Sequence, residues 1–419
     1  MGPRLRGDDV RQAPTLSRFA FNYSKECTMR EAVIVDAIRS PIARGKQVVG
    51  ELSGVHPVIL LSKLLDSLVT RNGLKHADVE QVIAGCVTQA GEQSNNLARN
   101  AWLWLNKGFS TGATTVDSQC GSAQQANAMI SAMIQGGSLD VGIACGVESM
   151  SRVGLGMNVM SGPGYFHPEG WPYDMTREQF TSVERMVKKR GLKREDIDFF
   201  AFESQRRAAA AWEAGHFNRE ILPIEAPILG EDGQPTGQTR MVTRDQGPRP
   251  TTLEGLAGLR TLQEGGTTTA GNASQISDGA AAILWMSKEK AQALGLKPRA
   301  RIISDVCVGT DPYYLLDGPV DATELILKKS KMSMKDFDII EINEAFATVV
   351  LSWASVYNPD MSKVNVNGGA IALGHPVGST GTRLIVTALH ELERTGKQTA
   401  FITMCCGAAV GTGTIIERL

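Results

Sequence analysis

Cys120, His375 and Cys405 carry the chemistry that this sequence offers most plainly. Each sits in a run of small residues: Cys120 before Gly121-Ser122, His375 inside Gly374-His375-Pro376, and Cys405 two positions before Gly407. A cysteine attacks a carbonyl once it is a thiolate, and a histidine can make it one. A second cysteine can carry a proton. Apolar positions Ala126, Met129, Ile130, Met133 and Ile134 predict one helical face after Cys120, so the thiol falls at a helix N-terminus. Free N–H groups there favour a thiolate. The plain alternative is a small buried cysteine that only packs.

His375 lies in GGAIALGHPVGSTGTR, too rich in glycine for a core strand and suited to a loop that approaches a ligand. Its alternative is a histidine that satisfies a turn carbonyl. Cys405 ends the apolar run TAFITM, and strand alternation points Cys406 to the other face. Gly407 could turn a backbone N–H toward an oxyanion. Asn343 and Glu344 follow the buried run FDIIEI and need partners; a helix cap by Asn343 is the simpler role. Ser274, in the small-residue turn GNASQISDG, could equally be a cap.

The elements that position these residues occur twice. From Ala32 the chain reads strand, loop, apolar helix, strand; from Ala300 it reads the same way. Thr114-Thr115-Val116 leads to Cys120, a helix and the strand DVGIAC. Val364-Asn365-Val366 leads to His375, a helix bearing Leu384, Ile385, Ala388, Leu389 and Leu392, and the strand ending at Cys405. This predicts an α/β fold of duplicated βαβαβαββ halves, two sheets packed on shared helices, with the site at equivalent strand ends. The first half covers 29–150 plus 273–297 and the second 298–419. Residues 151–272 form an inserted loop subdomain with two helical stretches and a hairpin around GEDGQPTGQTRMVTRDQG, suited to binding substrate.

Composition excludes several classes. Hydrophobic residues make up 42%, charged residues 21%, and the formal net charge is −1, so no basic surface points to nucleic acid. No apolar run reaches the roughly 18 residues that span a bilayer. Seven scattered cysteines predict reduced thiols in a cytoplasmic setting, and their spacing suits no metal. Residues 1–28 are Arg-rich, hold Asp8 and Asp9 and lack an apolar core. They read as a disordered extension, or a start codon assigned too far upstream, over an import signal.

Taken together, the motifs from about Met29 to Leu419 resemble the thiolase family. The resemblance rests on Cys120-Gly121-Ser122, Asn343-Glu344-Ala345-Phe346, Gly374-His375-Pro376, Cys405-Cys406-Gly407 and Thr269-Ala270-Gly271-Asn272-Ala273-Ser274. Two departures are small: Ala408-Ala409 stand where glycines are common, and Ala123 follows Cys120-Gly121-Ser122 where glycine is common. The resemblance implies a thiolase fold and cleavage of a 3-oxoacyl-CoA by coenzyme A through an acyl-cysteine. It implies Cys120 as nucleophile, His375 as its base and Cys405 as proton carrier. It gives Asn343 a water to hold, Gly407 an oxyanion to stabilise, and Ser274 a contact with coenzyme A. It further implies coenzyme A as co-substrate with no permanent cofactor or metal, and a homodimer or homotetramer.

GEQSNN, SRVGLG and GTDPYYLLDGP resemble bacterial thiolases that shorten sterol side chains. A biosynthetic acetoacetyl-CoA thiolase stays open as an alternative. So does a non-catalytic acyl or sterol carrier, which would be expected to lose Cys120 or His375. A condensing ketoacyl synthase uses Cys with two histidines, or Cys, His and Asn, whereas here the second proton-handling position is Cys405; a Cys–His hydrolase has no use for a second cysteine.

Overall fold

The structure is a computed structural model that describes residues 30–160 and 166–419. The extension 1–28 lies outside the described residues. The first half opens with β1 (Ala32–Arg39), buried along its whole length, and the short β2 (Ala43–Arg44). Helix α1 (Pro57–Arg71) begins with proline, where a missing N–H costs nothing, and the His56 ring accepts from the Val58 N–H. Then come β3 (Gln81–Gly85), α2 (Leu97–Trp104), β4 (Gly112–Val116), α3 (Ser122–Gln135) and β5 (Val141–Ser149).

The chain leaves this half through α4 (Gln179–Arg190), α5 (Arg194–Glu213), the hairpin β6 (Ile224–Leu229) and β7 (Pro235–Val242), and α6 (Leu253–Ala257). It returns with β8 (Ser277–Ser287) and α7 (Lys288–Ala293). The second half holds β9 (Ala300–Gly309), α8 (Gly318–Ser330), β10 (Ile339–Ile342), α9 (Ala347–Tyr357), α10 (Ala370–Leu373), α11 (Thr380–Thr395), β11 (Thr399–Cys406) and β12 (Val410–Arg418).

The strands run β10-β11-β12-β9-β1-β8-β5-β3-β4, with β2 also on β8. Outward from the centre, each half repeats one pattern. β1/β8/β5 and β9/β12/β11 pair antiparallel, and then β3 and β10 join parallel. The counterpart of β4 is reduced to a parallel bridge from Val364 to Ile340. The half-sheets join edge to edge at Ile34 and Ala300, so they form one sheet where two had been expected.

Shared helices hold the halves together. Ala126, Ile130 and Ile134 of α3 and Leu384, Ile385, Ala388 and Leu389 of α11 pack into one core with Trp285 of the first half-sheet and Ile402 and Met404 of the second. α11 is buried from Thr380 through Leu392, as a helix enclosed by two layers must be. Each fully buried leucine there contributes about 2 kcal/mol. Within this layer Asn127 donates to Thr382 Oγ1 and accepts from Trp285 Nε1. Met129, expected on the buried face of α3, is 39% exposed, because the helix buries a narrower stripe than its apolar residues suggest. α1 covers the outer face of the first half, and α8 with α9 that of the second.

Three residues, Gly407 to Ala409, turn β11 into β12 between the paired Cys406 and Val410. Ala409 closes the turn at φ +57°, the left-handed position that three-residue hairpins commonly give to glycine. An L-residue there costs about 1–2 kcal/mol, and glycine returns about 0.4–1 of it as unfolded-chain entropy. Ala409→Gly is therefore expected to raise stability by about 0.5–1 kcal/mol in denaturant unfolding. An unchanged or lower midpoint would contradict this.

Candidate active site

Cys120 lies in the loop from β4 to α3, two residues before the helix begins. Ser122 builds this bend: its hydroxyl donates to the Gln119 carbonyl (2.5 Å) and accepts from the Ser118 N–H (2.9 Å). Gln119 is held at φ +53°, uncommon for a residue with a side chain. The N–H groups of Gly407 and of Cys120 itself point at the Cys120 sulfur. Burial outweighs both and pushes the thiol up to about 12. The preformed thiolate suggested by the helix end is thus not the resting state; desolvation wins.

His375 hangs between α10 and α11. Gly374 before it has φ +111°, and a Cβ there would stand 2.3 Å from Ser277 Oγ, so no other residue fits. The His375 N–H is shared between the Gln275 carbonyl (3.1 Å) and Ser277 Oγ (3.2 Å). The Thr380 hydroxyl donates to the Pro376 carbonyl, so its oxygen is left to accept from His375 Nδ1 at 2.7 Å. That fixes the tautomer: Nδ1 carries the hydrogen and Nε2 keeps a lone pair. Burial, and then the charge of Arg383, holds the imidazole down to about 3, so it is neutral.

Asn343 follows the end of β10 and caps no helix; α9 starts from Phe346. Its amide donates to His375 Nε2 (3.3 Å) and faces Cys405. Its Oδ1 is buried with no hydrogen-bond partner among the described residues, which suits it to hold water or a substrate group. Cys405, opposite Gly411 on β12, is fully buried beside Ala345 and Phe346, and burial lifts its thiol well above the usual range. It lies close enough to Cys120 for the two to repel when charged. Cys406 does take the other face, but that face also meets the nucleophile. A Cβ on Gly121 would lie 2.8 Å from Cys406 Sγ.

A cavity of about 680 Å³ opens onto Cys120, His375 and Ser274. Its walls are mainly apolar, with Met150, Phe180, Leu262 and Phe346, and Arg44, Lys46 and Arg249 also line it. Asn343 and Cys405 stand behind this wall, each fully buried. The Ser274 N–H binds the Ala345 carbonyl at 2.9 Å and so ties its loop to the Asn343 segment.

Three contributors escaped sequence reasoning. Glu148 at the end of β5 is fully buried and accepts from the N–H groups of Val87, Thr88 and Gly378 and from Gln93. It pins loops of both halves, and its only signal was an acid in an apolar strand. Thr380 and the strained Gln119 gave none. The described cysteines are all free. Among the described residues no cluster could hold a metal and no helix is long and apolar enough to cross a membrane.

The Cys120 thiol and a tautomer-fixed His375 at one cavity, with the Cys405 thiol close to Cys120, form a set of groups suited to acyl transfer. Residues 32–289 match the thiolase N-terminal domain and residues 296–418 the thiolase C-terminal domain. The chain belongs to the thiolase family: it is an acyltransferase that uses coenzyme A as a substrate. It is 42% identical over 400 residues to steroid 3-ketoacyl-CoA thiolase FadA6 of Mycobacterium tuberculosis, covering 93% of this chain and 95% of that one. It is 39% identical over 394 residues to a 3-ketoacyl-CoA thiolase of Bacillus subtilis, covering 93% and 100%. The crystal structure of Bacillus anthracis acetyl-CoA acetyltransferase superimposes with a TM-score of 0.84 at 34% identity, covering 94% and 100%.

Two outcomes follow from His375. Thr380→Val removes the Nδ1 acceptor, and kcat is expected to fall about a hundredfold with KM little changed; a kcat within twofold of wild type would contradict the tautomer assignment. Because the folded pKa is depressed, the unfolded chain takes up the proton first, and stability is lost as pH falls below about 6.5. His375→Gln should therefore remove about 2 kcal/mol of the stability loss between about pH 6.5 and pH 4.5. Parallel unfolding curves for the two proteins would contradict a buried neutral imidazole.

Proposed function

We propose that this thiolase works in the degradative direction, cleaving 3-oxoacyl-CoA with coenzyme A, and that its acyl group is bulky. The observation that carries the reading is one cavity onto which the Cys120 thiol and His375 both open, with the Nδ1 hydrogen of His375 held by Thr380 and Cys405 buried close to Cys120. His375 Nε2 takes the Cys120 proton as the sulfur attacks the 3-oxo carbon. The oxyanion so formed is stabilised by N–H groups, each worth about 3 kcal/mol in such a site. The amides of Cys120 and Gly407 serve one oxyanion. His375 and a water on Asn343 serve the other. The C2–C3 bond then breaks, and Cys405 protonates the departing acetyl-CoA enolate. Cys405 next takes the proton of incoming coenzyme A, whose sulfur displaces the acyl group from Cys120. His375 returns its proton to Cys120.

Ser274 meets coenzyme A at the cavity wall, and Arg44, Lys46 and Arg249 suit its phosphates. We assign the substrate-shaping part to 151–272, set between 29–150 with 273–297 and 298–419, because Leu155, Gln179, Phe180 and Leu262 of that segment line the cavity. The sterol-active name of one relative favours a bulky acyl group, and the acetyltransferase name of the structural neighbour keeps acetoacetyl-CoA as the second reading. We also place the enzyme in the cytoplasm as a homodimer or homotetramer. The edge strand β4 leads into Cys120, and exposed Trp104 and Phe109 lie close to it, a surface suited to a second copy.

Thiolysis rates on acetoacetyl-CoA, a long-chain 3-oxoacyl-CoA and a polycyclic sterol-derived 3-oxoacyl-CoA test the substrate. We expect kcat/KM about tenfold or more higher for the bulky substrate than for acetoacetyl-CoA. A strong preference for acetoacetyl-CoA would overturn the degradative assignment.

A further inference from the structure

The chemistry above leaves one buried charged pair unused. Arg383 lies on α11, one turn after Thr380 and on the same face, and is 2% exposed. None of its guanidinium nitrogens has a hydrogen-bond partner among the described residues. Its facing carboxyl is Glu341, with Nη1 and Oε2 3.7 Å apart; neither Glu341 oxygen has a hydrogen-bond partner there either, and burial raises this acid to about 8 against the opposing pull of Arg383. Burying a guanidinium and an acid without hydrogen bonds costs several kcal/mol, which Coulomb attraction recovers only with good hydrogen bonding. Apolar residues would serve stability as well or better, so another reason for these charges is required.

Their positions supply it. Glu341 stands on β10 two residues before Asn343, whose amide meets Nε2 of His375. Arg383 follows the threonine that fixes Nδ1. The pair therefore links the two segments that grip the imidazole from its two nitrogens. We propose that Arg383 is a positioning residue for His375: paired with Glu341, it ties the segment that carries the base to the Asn343 strand.

A fixed positive charge in a water-free interior disfavours a second one on the imidazole. Nε2 takes the Cys120 proton during attack and must return it when the acyl group leaves. A base that gripped the proton harder would fail at the return. Arg383 is also surrounded by groups that temper its charge. They are Glu341 on β10, Glu344 after it and Glu220 after α5, with Arg39 of β1 on the opposite sign. Glu391 of α11 acts on Glu341 in turn. Glu344 and Glu220 are committed elsewhere, to Ser204, Asn365 and Ile371 and to Arg39 and Thr387 respectively. Only Glu341 faces Arg383 without other partners.

This inference rests on His375 being the base, and the test separates the two. Thiolysis of acetoacetyl-CoA is followed across pH for wild type, Arg383→Gln, Arg383→Lys and Glu341→Gln, and for His375→Ala with and without Arg383→Gln. We expect Arg383→Gln to move the acid limb of kcat/KM upward by about one pH unit. Arg383→Lys, which keeps the charge, should restore the wild-type limb. Glu341→Gln, which removes the acid that faces the arginine, should lower kcat with KM within about twofold. In the His375→Ala background, Arg383→Gln should change kcat by less than about twofold, because its route to the chemistry is gone. The proposal is overturned if Arg383→Gln lowers the rate by one factor at every pH and by that same factor without His375. If Arg383→Gln does not fold, Glu341→Gln decides: wild-type kcat in that variant also overturns it. A His375→Ala enzyme as fast as wild type would instead sink the assignment of the base.

Discussion

The site depends on two helices, α3 and α11, packed together between the half-sheets. Cys120 precedes the first and His375 the second, so the meeting of these two residues is a meeting of helix starts. Contact there is close: a Cβ on Gly381, in the first turn of α11, would stand 2.4 Å from the Gln124 nitrogen of α3. Gln124 also donates to Thr414 and accepts from Thr412, tying the first half's helix to the second half's sheet. A side chain that pushed these helices apart would separate the reacting groups before it unfolded either half.

Burial then sets the electrostatics. The same close packing that brings the groups together takes them out of water, which disfavours every charged form. The resting pair is accordingly thiol and imidazole, not thiolate and imidazolium. Donors stand ready for developing negative charge at the amides of Cys120 and Gly407 and at the Asn343 side chain. The reaction is thus selected by where negative charge can be tolerated. Glu148, equally buried, stays in place because backbone N–H groups of both halves surround it.

Much of this was legible in the chain. Duplication showed as matching strand–helix order, and the equivalent placing of Cys120 and His375 followed from it. Small residues around each reactive group marked loops that approach a ligand; Gly374 shows why, since its backbone angle and the nearness of Ser277 leave room for nothing larger. What could not be read were the long-range partners. Thr380, Glu148 and Arg383 act on residues of other elements, and a sequence shows neither the distance nor the desolvation that gives them their effect. The thiolate expected at the helix start failed for that reason. Cys406 takes the face opposite Cys405, as alternation suggests, but the sequence could not show that this face packs against Gly121 and Cys120.

Three thiols thus crowd one position, and the account stands on their division of labour. The most direct test is to mix enzyme with a 3-oxoacyl-CoA, quench in acid within the first turnover, and map the acyl group by peptide mass analysis. The account predicts the acyl mass on the peptide containing Cys120 and none on the peptide containing Cys405 and Cys406. An acyl group on Cys405 or Cys406 at that time would contradict it.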